Sequence, residues 1–195
     1  MILLGVGGVI TIVIVVFLVL VLVGFVVSNY NKLVELRNKV KNQWHQIDVQ
    51  LKRRFDMIPN LAETVKGYAK HEEAIFGEFA KARGLYAQAS QTGNVAEMAE
   101  ANKGLAGALS RLLVVQEQYP ELKANANFQQ MMQDLKETED KIAYQRQFYN
   151  DVVQINNNKV EMFPSNIVAK IFGFKVAEFF VLTEEGQREA PKVSF

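Results

Sequence analysis

Lys52, Arg53 and Arg54 are three consecutive cations, and their types and spacing make them the first candidates for chemistry in this sequence. Guanidinium and ammonium groups donate hydrogen bonds to carboxylates and phosphates. We therefore take these three residues as a candidate contact for an acidic protein partner or a neighbouring subunit. The simpler interpretation is a solvated helix face near a helix C-terminus, where cations oppose the helix dipole.

The two histidines, His45 and His71, are the other candidates, because a chain without cysteine has few remaining metal ligands. A di-iron helical bundle needs a Glu-x-x-His motif on each of two helices. Asn42 and Tyr68 stand where those two glutamates would be. The sequence therefore predicts no metal site and no cofactor, and we expect both histidines on solvated helix faces.

Patterns for a nucleophile or a phosphate-binding loop are also missing. Ser110, in the segment GALSRLL, is predicted to lie inside a helix, whereas hydrolase serines occupy a strained turn between a strand and a helix. The glycines of GVGG, residues 5–8, lie inside an apolar run. With no catalytic residue to name, we predict that the protein is not an enzyme.

The element that positions all these residues begins with an apolar run from Ile2 to Val27, and no charged side chain occurs before Lys32. This run exceeds the roughly 20 residues that a helix needs to span a bilayer. A secretory signal peptide would need a basic start and a shorter apolar core. Residues 1–28 are therefore predicted to form a transmembrane helix with a short N-terminus, which crosses the lipid bilayer once.

The charges that follow the span predict its orientation. Lys32, Arg37, Lys39 and Lys41 outnumber the one acidic residue of this segment, Glu35. The positive-inside rule places such a segment in the cytoplasm and the N-terminus outside. Over the whole chain, 22 basic residues nearly balance 21 acidic ones, so we expect no nucleic acid partner.

A helical pattern continues from the span as far as a proline. Large apolar residues recur at spacings of 4, 4, 3, 4, 4 and 3, which is an eleven-residue repeat. Such a repeat has about 3.67 residues per turn and predicts a nearly straight helix. We expect this helix to end at Pro59, because a proline inside a helix costs about 3 kcal/mol. The apolar positions are Leu36, Val40, Trp44, Ile47, Leu51, Phe55 and Ile58.

Three further helices are predicted after Pro59. The predicted fold is therefore all-α, with an N-terminal transmembrane helix followed by an antiparallel up-and-down four-helix bundle over residues 29–160. The alternative is one very long helix kinked at Pro59, with two other helices packed on it. The three predicted helices cover residues 60–89, 95–118 and 127–162, with a loop at residues 90–94.

An aromatic segment, residues 161–182, follows the bundle and precedes a predicted flexible tail, residues 183–195. The fourth helix of an up-and-down bundle returns to the membrane, so this segment, with Lys170 and Lys175, is predicted to lie near the bilayer. The alternative is that its rings close the open end of the bundle core. The candidate membrane-proximal or oligomer contacts are Phe163, Phe172, Phe174, Phe179 and Phe180.

Three long segments of the chain resemble the LemA family. They are YNKLVELRNKVKNQWHQIDVQLKRRFDMIPNLAETVKGYAKHE at residues 30–72, LSRLLVVQEQYPELKANANF at residues 109–128, and RQFYNDVVQINNNKVEMFPSNIVAKIFGF at residues 146–174. Met57 stands where leucine is more usual, which is a volume-conserving change. The resemblance implies a single-pass protein of the bacterial inner membrane with a cytoplasmic helical domain, and it supplies no catalytic residues.

Two functions from different classes fit these features. The first is a non-enzymatic membrane-anchored scaffold that self-associates into homo-oligomers. The second is a membrane-tethered adaptor that binds a specific, so far unidentified protein through the basic residues 52–54. A scaffold is expected to form large assemblies alone, whereas an adaptor is expected to stay small and to lose its partner when Arg53 and Arg54 are reversed in charge.

Overall fold

The computed structural model describes residues 6–69 and 72–181, and all regular secondary structure within these residues is helical. The prediction of an all-α chain is therefore confirmed. The predicted flexible tail, residues 183–195, lies outside the described residues. The helices are α1 (Val6–Tyr68), α2 (Glu73–Thr92), α3 (Val95–Val115), α4 (Pro120–Lys123), α5 (Ala126–Glu161) and α6 (Ser165–Ile171), with a 3₁₀ turn at Gln116–Gln118.

The predicted end of the first helix at Pro59 is wrong, because α1 continues through this proline to Tyr68. A proline inside a helix costs about 3 kcal/mol. Beyond it, however, Leu61 and Val65 lie on the helix face that already buries Ile58, and all three side chains are almost inaccessible to solvent. Full burial of one such side chain is worth about 1.5–3 kcal/mol, so continuing the helix outweighs the local cost.

The connection between α2 and α3 is shorter than the predicted loop at residues 90–94. Helix α2 runs to Thr92, and Gly93 follows with a φ of 68°, a left-handed conformation that glycine adopts without a steric penalty. Asn94 then caps α3, because its side-chain oxygen accepts a hydrogen bond of 3.1 Å from the Glu97 N–H. The predicted positions of the third and fourth long helices, α3 and α5, are confirmed to within a few residues.

The described residues form two compact units. The first unit contains residues 6–42 and 151–177, and the second contains residues 43–69, 72–150 and 178–181. One buried apolar cluster of the first unit consists of Leu33, Val168 and Ala169, and it is flanked by Val26, Val160 and Phe174.

The second unit buries apolar side chains from α1, α2, α3 and α5. The Phe55 ring of α1 stacks on the Tyr86 ring of α2 with centroids 4.3 Å apart. The up-and-down order of four helices stays a prediction. Large side chains in this core include Ile47, Leu51, Phe79, Leu105, Leu112, Phe128, Leu135 and Ile142.

The first part of α1 is apolar and faces solvent in the isolated chain. The large apolar side chains from Val9 to Val23 are 51–64% exposed. Among the described helices, α1 is the one long and apolar enough to cross a membrane by length and composition. Residues 1–5 of the predicted span lie outside the described residues.

Candidate interaction surfaces

The three consecutive cations do not share one surface. Lys52 and Arg53 are exposed, whereas the Arg54 side chain is only 3% accessible. The predicted contact cluster is therefore wrong at Arg54, because helical periodicity turns this third residue toward the core. The cluster is also not at a helix end, since α1 continues for fourteen residues to Tyr68, and the last-turn cation is Lys66.

Arg54 joins three helices through a buried polar contact. Its Nη1 donates a hydrogen bond to Oδ1 of Asn102 in α3 and pairs with the Glu139 carboxylate of α5. Burial lowers the pKa of Arg54, and the negative charge of Glu139 acts in the opposite direction. A buried cation that is already neutralised within its own chain is a structural contact rather than a ligand site.

An open groove of about 550 Å³ lies beside this ion pair, between α3 and α5. Its walls combine apolar side chains with the paired Arg54 and Glu139. The hydroxyl of Ser110, also in the groove wall, donates to the Ala106 carbonyl one turn back at 2.9 Å, so Ser110 lies inside a helix as predicted. The apolar lining includes Leu109, Leu113, Phe128, Met132 and Leu135.

The described part of the chain shows no arrangement typical of a metal centre. His45 is exposed on α1, and His71 lies outside the described residues. Within residues 6–69 and 72–181, no three His, Asp or Glu side chains are grouped so that they could hold a metal ion. That the protein uses no cofactor stays a prediction.

In the first unit, part of the aromatic segment packs beside the end of the apolar run. The rings of Phe172 and Phe174 lie edge-on to the Tyr30 ring, with centroids 4.8 and 5.7 Å away. The Arg37 guanidinium lies over the Phe174 ring at 5.3 Å, a cation–π geometry. Phe163 contributes the most exposed large apolar side chain, at 79%.

In the second unit, Phe180 does not form a contact surface. Its ring is fully buried and lies 5.7 Å from the Trp44 ring, which in turn lies 5.5 Å from the Tyr149 ring. The prediction of Phe180 as a membrane-proximal or oligomer contact gains no support from this geometry, because its own chain already covers the ring. Phe179 is 43% exposed and borders a groove of about 740 Å³ between α2 and α3.

Two asparagines that are not among the predicted site residues hold the chain that follows α6. Asn157 accepts a hydrogen bond of 2.8 Å from the Ala177 N–H and donates one of 2.9 Å to the Ala177 carbonyl. Asn150 makes the same pair of bonds to the backbone of Phe180, at 2.9 and 3.1 Å. Their spacing of seven residues puts both amides on one face of α5. This spacing is the feature of the sequence from which the two asparagines could have been identified.

A tyrosine adds to this attachment in the second unit. The Tyr149 hydroxyl donates a hydrogen bond of 2.7 Å to the backbone carbonyl of Glu178. Burial raises the pKa of Tyr149 to about 12, and the Glu178 carboxylate adds to the shift. The phenol therefore remains a neutral donor throughout the physiological pH range.

The chain was compared with known proteins. The family model described as the LemA family matches residues 43–195. Magnetosome proteins MamQ 1 and MamQ 2 of Paramagnetospirillum magneticum are each 28% identical to this chain over an alignment of 188 residues. The match covers 83% of this chain and 69% of each relative. Magnetosome protein MamQ of Magnetospirillum gryphiswaldense is 26% identical over the same shares of both chains. The chain belongs to the LemA family.

Proposed function

We propose that this protein is a non-enzymatic, membrane-anchored scaffold that self-associates into homo-oligomers. The observation that carries the proposal is the continuity of α1. The same helix begins with exposed apolar side chains and supplies core residues of the second unit, including Ile47, Leu51 and Phe55. One helix thus contains both an apolar segment long enough for a membrane anchor and core residues of the second unit.

Lipid is the environment that suits the start of α1. Fully exposed apolar helices of this length are unfavourable in water, whereas the hydrocarbon core of a bilayer accommodates about 20 such residues. The basic residues after the span, Lys32 to Lys41, favour a cytoplasmic location for the helical body in a bacterial cell by the positive-inside rule. The body is proposed to be an antiparallel four-helix bundle built from parts of α1, α2, α3 and α5.

Self-association is favoured by an aromatic pair on α5. Tyr144 and Phe148 are 64% and 45% exposed, and their rings lie 4.7 Å apart. Exposed aromatic side chains of this kind are enriched where one protein surface packs on another. The names of the relatives assign those proteins to the magnetosome and name no reaction, which favours a structural role over an enzymatic one.

An adaptor that binds a protein partner is the second candidate, and Lys52 and Arg53 favour it. Both side chains are exposed, and neither forms an ion pair with another described residue. Two adjacent exposed cations can bind an acidic surface of a partner protein. The buried Arg54 leaves this surface one charge smaller than the sequence predicts.

Cross-linking in isolated membranes tests self-association. Lys141 is exposed three residues before Tyr144, so Lys141→Cys in the cysteine-free chain places one thiol beside the aromatic pair. Treatment with a bismaleimide is expected to give a band at twice the chain mass of 22.0 kDa on a denaturing gel. Adding Tyr144→Glu and Phe148→Glu is expected to remove that band, because two carboxylates would have to be desolvated at the contact.

The matched control is Gln147→Glu, which adds a carboxylate at an exposed position next to Phe148. This control is expected to keep the band. A Lys141→Cys protein that stays monomeric under cross-linking, or a band that survives both glutamates at full strength, would contradict self-association through this surface.

A further inference from the structure

Four large apolar side chains are exposed on and just before α6. Met162, Phe163, Ile167 and Ile171 are 60%, 79%, 51% and 70% accessible, and we name these four residues the α6 patch. We propose that the α6 patch inserts into the headgroup layer of the bilayer and is a second membrane contact of this protein. This inference rests on the proposed anchorage through α1.

The position of α6 along α1 is the first argument. The buried face of α6, Val168 and Ala169, packs on Leu33, and Val26 flanks the same cluster. Val26 still belongs to the apolar run, and Leu33 lies seven residues later, about 10 Å further along a helix that rises 1.5 Å per residue. The headgroup layer on each side of the hydrocarbon is about 5–8 Å thick. Helix α6 therefore docks beside the point where α1 leaves the hydrocarbon.

The chemistry of the exposed face is the second argument. Ile167 and Ile171 are four residues apart and share one side of α6, and Phe163 lies two residues before the helix begins. Lys170 is exposed on α6 and Lys175 follows shortly after it. Apolar side chains interspersed with lysines are typical of segments that lie in the membrane interface, where lysines meet anionic headgroups.

The aromatic contacts between α6 and α1 are the third argument. Phe172 is half-exposed and lies edge-on to Tyr30, which is itself 38% exposed three residues after Val27. Tyrosine is enriched at the level where a span meets the headgroups. Phe172, next to Ile171 of the α6 patch, thus lies beside a tyrosine at the end of the span, and this position favours lipid as the occupant of the patch.

Depth-dependent quenching of a single fluorophore tests the proposal. The full-length chain, which has no cysteine, is given Ile167→Cys, labelled with an environment-sensitive dye and placed in nanodiscs of phosphatidylcholine and phosphatidylglycerol. Lipids that carry a nitroxide near the top of the acyl chain are expected to quench most of the emission, whereas iodide in the buffer is expected to have little effect. The matched control, Asp151→Cys, is exposed in the same unit, ten residues and about 15 Å back along α5 from Glu161. Its label is expected to show the reverse pattern.

Two results would overturn the α6 contact. A label at position 167 that iodide quenches and lipid nitroxides do not would place α6 in water. A label that neither quencher reaches would show that protein, such as a second copy of the chain, covers the patch.

A third label at Val15→Cys, inside the apolar run, separates this inference from the anchorage. If nitroxides placed deep in the acyl chains quench the label at position 15, but lipid nitroxides do not quench the label at position 167, only the α6 contact is wrong. If the label at position 15 is not quenched, the anchorage through α1 is contradicted.

Discussion

Replacing Glu139 by leucine is expected to destabilise the second unit by about 3–5 kcal/mol, because Arg54 is then left as an uncompensated buried charge. The Arg54 side chain is 3% accessible, so its guanidinium cannot reach water without moving the helices around it. The free energy of unfolding is measured with urea on the full chain in detergent. The emission of Trp44, the one tryptophan and a residue of this unit, reports the transition.

The opposite substitution, Arg54→Met, is expected to lower the free energy of unfolding by less than Glu139→Leu does. The Glu139 side chain is 34% accessible, so its carboxylate can be hydrated once its partner is gone. Combining the two substitutions is expected to recover much of the loss, because no charge then remains buried. Arg53→Met, next to Arg54 and exposed, is the matched control and should change stability by less than about 0.5 kcal/mol. Equal losses for Arg53→Met and Arg54→Met would show that Arg54 does not have the buried role described.

Phe180→Ala is expected to detach the chain around residue 180 from the second unit. The ring is fully buried against Trp44, and loss of a buried phenylalanine costs about 3–5 kcal/mol. Because Trp44 touches this ring, its emission is expected to shift to longer wavelength as water replaces the phenyl group. Hydrogen exchange at the Phe180 amide, which Asn150 holds in the native state, is expected to accelerate in parallel.

The neighbouring substitution, Phe179→Ala, provides a control of the same size in the same extended segment. The Phe179 ring is partly exposed, so its removal is expected to leave the Trp44 emission unchanged. A red shift of equal size in both variants would contradict the assignment of Phe180 as the buried anchor of this segment.

Much of the fold follows from local patterns in the sequence. The apolar run, the eleven-residue repeat and the breaks near Gly93 and Pro120 predict an all-helical chain with one long apolar helix, and the structure agrees. The effect of Pro59 is predicted wrongly because its cost is local, whereas the burial of Leu61 and Val65 depends on the tertiary packing of α1. Periodicity counted from Ile58 could have placed both residues on the buried face.

The candidate surfaces were harder to predict than the helices. Residue type alone grouped Arg54 with its neighbours and Phe180 with Phe179, yet helix rotation and an extended backbone turn one residue of each set inward. The α6 patch was predicted only in part, because the exposure of Ile167 and Ile171 depends on which face of α6 packs on Leu33. Tertiary packing, rather than composition, decides which member of such a cluster is free.

The mass of the gently solubilised protein shows whether this membrane-anchored chain self-associates. Mass photometry, with the detergent or lipid contribution subtracted, is the appropriate measurement. A defined protein mass several times 22.0 kDa is the predicted result, and Tyr144→Glu with Phe148→Glu is expected to reduce it. A single species at 22.0 kDa, unchanged by those substitutions, would contradict the scaffold and favour an adaptor acting through Lys52 and Arg53.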